Sequence, residues 1–339
     1  MLDLIKMENL TNKTMNVLSL FDGMSCGQQA LERADIKVDN YFASEIDKYA
    51  IQVTMANYPN TIKLGSVINV DGYKLPKIDI LIGGSPCQSF SFAGKRKGMS
   101  TKDEQEILTL DHYLELKSEG FQFEGQSYLF WEYMRLLNEV KPKYFLLENV
   151  MMGEKWEKVL SKAIGVKPIM INSALLSAQN RQRLYWTNIG LEPQGLFGDL
   201  ETTIQQPKNK NILLKDILEE NVDEKYFLSD KMKNYLDTGQ TNAVEIVGGD
   251  FRFDEGFRWR ENGKSITLPA RGRSEGNDYT GQALTKINSQ IRRLTPIECE
   301  RLQTVKDNYT AHVSNAQRFK MLGNGWTVDV IVHILKYIK

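Results

Sequence analysis

The stretch that decides the fold is Met15–Gly27, MNVLSLFDGMSCG, with QQALERA following at Gln28–Ala34 and YFASE at Tyr41–Glu45. A six-residue apolar run enters a turn with Gly23 and Gly27, a helical stretch follows, and a second β-rich run, Asp39–Ala43, ends at Glu45. Further runs lie at Ile78–Ile82, Tyr144–Leu147, Pro168–Asn172 and Leu184–Thr187, with helical patterns at Lys48–Asn57, Tyr128–Glu139 and Lys155–Ala163 between them. Near-continuous apolar strands alternating with helices predict an α/β fold: a mostly parallel sheet covered by helices on both faces. The turn allows close backbone approach to a nucleotide-type ligand, and a carboxylate after the second strand is placed to accept hydrogen bonds from a ribose diol. The spacing G-x-x-x-G differs from the dinucleotide pattern G-x-G-x-x-G. Alone it leaves NAD and S-adenosylmethionine both open.

From 190 to 290 the periodicity weakens and Gly, Asn, Gln, Asp and Arg become frequent, so a second, smaller domain is expected there. Beyond it, Thr295-Pro296-x-Glu298 predicts a capped helix over Thr295–Gln303, with Thr295 as N-cap and Pro296 in the first turn. A last amphipathic helix is expected over Thr327–Tyr337.

Composition narrows the class. The 339 residues are 41% hydrophobic and 25% charged, ordinary globular values. No apolar run approaches the ~20 residues of a membrane span, and the charged start MLDLIKMENLTNKT does not read as an export signal. Three scattered cysteines (Cys26, Cys87, Cys299) argue for a reducing, cytoplasmic compartment rather than a disulfide framework. With three histidines and no C-x-x-C, no metal site is expected. Lys+Arg and Asp+Glu stand at 43 each, a balance that on charge alone argues against a nucleic-acid partner, because such proteins often carry a basic excess.

Cys87 follows Gly83-Gly84-Ser85-Pro86 just past a strand end, where open α/β sheets place their sites. A lone cysteine is more often a small buried hydrophobe. Here Lys95, Arg96 and Lys97 follow it, and thiolate chemistry wants such an electropositive setting.

Gly-Ser-Pro-Cys-Gln at 84–88, with FDGMSCG before it and Glu148-Asn149-Val150 after it, resembles the cytosine-5 DNA methyltransferases. Ser127–Phe130, then Gln179-Asn180-Arg181-Gln182-Arg183, the Arg293–Gln303 block and Gly323-Asn324-Gly325 match further motifs in the family's order. The likeness covers nearly the whole chain, and its first blocks are most similar to the animal de novo enzymes and their phage relatives. It implies a Rossmann-like methyltransferase domain (1–189 plus 290–339), a target recognition domain (190–289), S-adenosylmethionine as cofactor and double-stranded DNA as partner.

It also implies residue roles. Cys87 adds to carbon 6 of a flipped-out cytosine, because carbon 5 is too weak a nucleophile without that covalent help. Glu148 meets N3 and the exocyclic amine, and to donate toward N3 its carboxyl must hold or share a proton. Arg181 and Arg183, two apart on an extended segment, contact the cytosine O2 and place the catalytic loop. Phe21, Asp22, Gly23, Ser25, Cys26, Gly27, Glu45, Ile46, Ser66, Val67, Pro86 and Asn324 are expected around the cofactor. Ser85, Gln88, Ser89, Lys95, Arg96, Lys97, Arg258, Arg260, Arg271, Arg273 and Arg292 are expected toward DNA.

Three departures stand out: an insertion between Gly98 and Gln126, read as an extra helix beside the loop; Ser66-Val67 where an acidic residue is common; and Gly325-Trp326 where Ser-Val is common. The neutral sum also hides segregated charge, with eight Arg/Lys against three acids over 258–293. A monomer with or without a cognate restriction endonuclease fits. A transfer-RNA-type enzyme, a nicotinamide-dependent oxidoreductase and a non-catalytic DNA-binding homologue stay open as alternatives. The oxidoreductase leaves Cys87 and the QNRQR run unexplained.

Overall fold

The structure is a computed structural model, and it describes residues 14–86, 106–123, 125–194, 199–228, 246–252, 256–260, 262–270, 282–287 and 290–339. Its main sheet has seven strands: β1 (Met15–Leu20), β2 (Val38–Ser44), β3 (Ile62–Lys63), β4 (Ile80–Gly84), β5 (Tyr144–Val150), β6 (Ile169–Asn172) and β7 (Gln182–Thr187), in the order β3-β2-β1-β4-β5-β7-β6. The first five in that order run parallel. β7 inserts antiparallel between β5 and β6. The order reverses at β1, so the C-terminal end of β1 is the topological switch point, where such sheets bind ligands.

Each central strand feeds two cores, because successive side chains point to opposite faces. Val17, Ile80, Ile82 and Leu146 join one cluster, together with Ala30 and Leu31 of α1 (Cys26–Arg33), Val53 of α2 (Lys48–Asn57) and Val328, Ile331 and Ile334 of the last helix, α8 (Val328–Leu335). Leu18, Leu20, Leu81 and Leu147 join the other, under Phe130, Trp131 and Tyr133 of α4 (Leu129–Val140) and Trp156 and Leu160 of α5 (Glu154–Ile164). This two-sided burial is why the strands read as apolar runs rather than alternations. Among the described residues no helix is long and apolar enough to cross a membrane.

The expected extra helix is α3 (Leu110–Ser118), capped by Thr109, whose hydroxyl accepts from His112 N at 3.3 Å. It docks on α4 through Glu132, a fully buried carboxylate that accepts from Tyr113, Lys117 and Arg135. The capped helix over 295–303 is α6 (Pro296–Leu302), with the full capping box between Thr295 and Glu298. A helix that the spacing did not predict, α7 (Asn315–Asn324), precedes the Gly325-Trp326 turn.

In the less regular region, a short hairpin of β8 (Leu191–Gln194) and β9 (Asp199–Thr202) leads away from the main sheet. A second sheet, order β11-β10-β12-β13, is wholly antiparallel: β10 (Ile246–Arg252), β11 (Gly256–Arg260), β12 (Leu284–Ile287) and β13 (Gln290–Arg293). Its own core is small, made of Leu228, Phe251 and Leu284 with Phe257, Trp259 and Ile291 against them. Ile204, Leu214, Ile217 and Leu268 belong instead to the large cluster on the main sheet. Residues 264–268 clip onto 178–180 through Ser265 N to Ala178 O (2.7 Å), Asn180 N to Ser265 O (2.9 Å) and Leu268 N to Gln179 Oε1 (2.8 Å).

Candidate active site

Four of the expected site residues stand at the C-terminal ends of neighbouring strands of the main sheet. Register pairs Leu20 with Ser44 on one side and with Gly83 on the other, Gly83 with Leu147, and Gly84 with Glu148. Phe21, Glu45, Ser85 and Glu148 therefore follow or end neighbouring parallel strands at the same level.

At the β1 end the backbone is tightly coiled. Phe21, Gly23 and Ser25 have φ of 57°, 59° and 60°, left-handed values that only glycine adopts freely. Hydrogen bonds of Asp22 hold the turn. Asp22 accepts from Ser19 Oγ (2.6 Å), Tyr41 OH (2.6 Å) and Ser25 Oγ, and its N–H donates to Ser44 O at 3.2 Å. Burial lifts the Asp22 carboxyl to about 6, against the pull of its three hydroxyl donors, with Glu45 adding to the lift. Glu45 is fixed by backbone alone: Oε2 accepts from Gly23 N (2.8 Å), Oε1 from Ile46 N (2.7 Å) and Asp47 N (2.8 Å).

These residues fit an adenosine-type cofactor. A Cβ built on Gly23 would meet nothing within 4 Å, so open space lies over the turn. Beside the anchored carboxylate Ile46 is 71% exposed, an uncovered aliphatic face of the kind a flat ring covers. Ser66 precedes the short turn Val67–Asn69, close to Ser44, whose hydroxyl donates to Gly65 O at 2.9 Å. Two expected cofactor residues look the other way. Cys26 is buried against the backbone of Trp326, and Gly27 sits where a Cβ would lie 2.5 Å from Ile82 Cδ1 and 2.7 Å from the Tyr41 hydroxyl. Gly27 therefore lets α1 pack on the sheet.

At the β4–β5 end, Glu148 is 8% exposed and both its oxygens are engaged. Arg183 Nε lies 3.0 Å from Oε1, and Trp326 Nε1 donates to Oε2 at 3.2 Å. The Arg183 side chain also donates to Gln182 O (2.8 Å). Asn149 holds the start of the next loop, donating from Nδ2 to Ser85 Oγ at 3.0 Å. Ser85 is 4% exposed and committed to Asn149, so the expectation that it faces DNA is corrected: it anchors the chain leading to Pro86 and residue 87. Cys87, Gln88, Ser89, Lys95, Arg96 and Lys97 lie outside the described residues, as do Arg271 and Arg273. The other two cysteines are buried thiols raised by burial, Cys26 to about 12 and Cys299 well above the usual range.

Arg181 is corrected too. It is 3% exposed, and its Nη2 donates to Gly323 O (3.2 Å) and Gly325 O (2.9 Å). It holds the turn that carries Asn324 and Trp326, while Arg183 pairs with Glu148. Gln303 works beside it, donating from Nε2 to Leu322 O (2.6 Å) and Gly325 O (3.2 Å). Asn324 ends α7 and is exposed. The roles of Asn149, Gln303 and Trp326 were not drawn from the sequence, although all three stand in the matched blocks or next to one.

Of the arginines expected toward DNA, Arg260 is exposed at the end of β11, and Arg258 is half-buried and paired with Asp250. Arg292 is excluded by burial. Its side chain is 2% exposed and forms a two-pronged pair with Glu298, Nη1 to Oε2 at 2.7 Å and Nη2 to Oε1 at 2.6 Å. Lys264, one of the eight cations of 258–293, is likewise inward, donating to Ala174 O (2.8 Å), Ser177 O (3.0 Å) and Ile212 O.

Residues 15–339 match the family model described as C-5 cytosine-specific DNA methylase. Among curated relatives, the type II methyltransferase M.NlaX of Neisseria lactamica is 29% identical over 335 residues, covering 95% of this chain and 96% of that one. The type II methyltransferase M1.ScrFI of Lactococcus lactis subsp. cremoris is 28% identical over 336 residues, covering 96% and 78%. Among solved structures, the Entamoeba histolytica methyltransferase EhMeth superposes with a TM-score of 0.64 at 16% identity, over 96% of this chain and 98% of that one. A sheet with its switch point at a glycine turn, and a match running from the first strand to the last residue, define one class: the chain belongs to the C-5 cytosine-specific DNA methylases. It is a DNA (cytosine-5) methyltransferase, and S-adenosylmethionine is its methyl donor.

Proposed function

We propose that this enzyme methylates a flipped-out cytosine within a specific duplex sequence through a covalent adduct with Cys87. The observation that carries the reading is the alignment along the sheet edge: Glu45 and the Gly23 turn at β2 and β1, Ser85 leading to residue 87 at β4, and Glu148 at β5. A cofactor held at the first pair would present its group toward the second. Cys26 and Cys299 cannot serve, since both are buried and held as neutral thiols.

Bound between Glu45, Ile46, Ser66, Val67 and Asn324, S-adenosylmethionine supplies an electrophilic methyl group. Cys87 as thiolate adds to carbon 6 of the cytosine, and the ring electrons make carbon 5 nucleophilic. Glu148 faces N3 and the exocyclic amine, where charge builds on addition, with Arg183 fixing its carboxylate. After methylation, loss of the carbon-5 proton and expulsion of the thiolate restore aromaticity. Residues 190–289 act as the target recognition domain, with Arg258, Arg260, Arg271 and Arg273, and Lys95, Arg96 and Lys97 after Cys87, serving DNA binding. In this reading the protein works as a cytoplasmic monomer; the type II methyltransferases among its relatives support a cognate restriction endonuclease as partner, and the orphan phage methyltransferases support a role without one.

Purified protein should transfer labelled methyl from S-adenosylmethionine to duplex DNA, and Cys87→Ser should abolish transfer. Duplex containing 5-fluorocytosine should trap a covalent complex with the wild type and none with Cys87→Ser. Methyl transfer without any trapped adduct would refute the Cys87 route. Bisulfite sequencing of DNA from expressing cells reports the target sequence.

A further inference from the structure

Trp326 stands where this sequence departs from its family's usual Ser-Val, and its indole lies against the carboxylate to which the chemistry is assigned. Arg183 binds one oxygen of Glu148 at 3.0 Å, and Trp326 Nε1 donates to the other at 3.2 Å. The neighbouring strand packs close against this pair. A Cβ on Gly84, the register partner of Glu148, would lie 2.9 Å from Trp326 Nε1 and 3.0 Å from Glu148 Oε2. Indole, carboxylate and glycine backbone therefore form one packed contact, with Trp326 itself 8% exposed.

The indole is held from behind as well as in front. The Gly325 carbonyl is fixed by Arg181 (2.9 Å) and Gln303 (3.2 Å), and Thr327 donates to Gln303 Oε1 at 2.9 Å while accepting from Ser173 Oγ at 2.8 Å. A buried network that spends this many donors on one turn sets the direction of the side chain it carries.

We propose that Trp326 is a positioning residue for methyl transfer: its indole N–H locks the plane of the Glu148 carboxylate so that the second oxygen meets the cytosine edge in one orientation. The last torsion of a glutamate is broad, and a single partner on one oxygen leaves the plane free to swing. A donor on the other oxygen removes that freedom. An indole is a donor with no acceptor, so it takes one lone pair of Oε2 and leaves the other for the exocyclic amine of the base. Because it is neutral, it adds no second positive charge beside Arg183. The inference rests on the reading of Glu148 as the group that meets the base.

The test uses full-length protein, duplex substrate and two replacements of Trp326. Trp326→Phe keeps most of the ring and loses the N–H; replacement by 3-benzothienylalanine, through nonsense suppression, keeps the shape and exchanges only N–H for sulfur. Both should lower kcat about tenfold, equivalent to about 1.4 kcal/mol, with KM for S-adenosylmethionine and for DNA within about twofold of wild type. In a Glu148→Gln background the Trp326 changes should slow the residual rate no further. Should the Phe variant fail to fold, the sulfur isostere decides. Wild-type kcat in the isostere, or a raised KM with unchanged kcat, would overturn the positioning role. Wild-type activity in Glu148→Gln would instead remove the reading of Glu148, and the role of Trp326 with it, so the two failures are distinguishable.

Discussion

Replacing Arg292 with alanine should destabilise the fold and leave the salt dependence of DNA binding where it was. Each oxygen of Glu298 holds one guanidinium nitrogen and one backbone amide: Oε2 takes Arg292 Nη1 at 2.7 Å and Thr295 N at 2.8 Å, Oε1 takes Arg292 Nη2 at 2.6 Å and Glu219 N at 2.9 Å. The two side chains are 2% and 0% exposed. Breaking a buried pair from one side costs about 3–5 kcal/mol, because the remaining charge is stranded. Two amides stay on Glu298, so the expected loss is at the lower end, about 3 kcal/mol. Urea unfolding followed by circular dichroism measures it. DNA affinity measured over a salt series gives the second readout, since each lost phosphate contact flattens the log–log slope by about 0.9. A variant within about 0.5 kcal/mol of wild type whose slope flattens by about 0.9 would return Arg292 to the DNA side and refute its structural assignment.

Other outcomes follow from the same geometry. Asp22 is raised from 3.8 to about 6 by burial, so the folded state prefers its neutral form. Stability tied to it is present below pH ~4 and lost as pH climbs through ~6, about 3 kcal/mol in all. Asp22→Asn should erase that part of the pH dependence in denaturant melts between pH 4.5 and 7.5, and parallel wild-type and variant curves would contradict this. Gly323→Ala places a Cβ 2.3 Å from Pro269 O and 2.6 Å from Ala270 Cα. Backbone must move, at about 1–3 kcal/mol or more; calorimetry should show that loss together with weaker S-adenosylmethionine binding. Gly153→Ala, with open space around it and an extended N-cap backbone (φ −68°, ψ 147°), should change stability by no more than about 1 kcal/mol. Lys264→Met removes the donor to three carbonyls and should lower the melting temperature with no change in the salt slope for DNA. A flattened slope would place that lysine on the phosphate backbone after all.

Much of the scaffold was legible because both faces of the sheet are buried. Met15–Leu20 and Lys48–Asn57 appear with the expected limits, since an apolar run between polar turns and a helical spacing behind an Asp cap leave little choice. The box at Thr295 and Glu298 was equally plain. What could not be read was the direction in which polar side chains point. Arg292, Lys264, Arg181 and Ser85 carry the same chemistry whether they face phosphate or a buried partner, and periodicity decides burial only for apolar residues. Glu298 shows the difficulty: its capping role was visible, but the same carboxylate also binds Arg292 and Glu219, the latter from a segment nearly eighty positions away in sequence. The antiparallel β7 was hidden for a related reason, because strand direction leaves no mark on a four-residue apolar run.

The corrected arginines change how charge should be weighed in this chain. The excess of cations over 258–293 suggested a basic DNA face, yet two of the eight, Lys264 and Arg292, are spent inside. Both join residues 204–293 to elements packed on the main sheet. Lys264 ties carbonyls 174, 177 and 212 together, and Arg292 binds the cap of α6. Arg181 does the same at the main sheet, bridging the β7 side to the turn that carries Trp326. Guanidinium and ammonium groups suit this work because one side chain can satisfy several carbonyl or carboxylate oxygens that would otherwise be buried without partners. The geometry that brings Glu148, Arg183 and Trp326 together thus depends on buried cations. Their substitution should reduce activity through misplacement of the site, with loss of stability as the accompanying sign, whereas substitution of Arg260, exposed at the end of β11, should weaken DNA binding with stability intact.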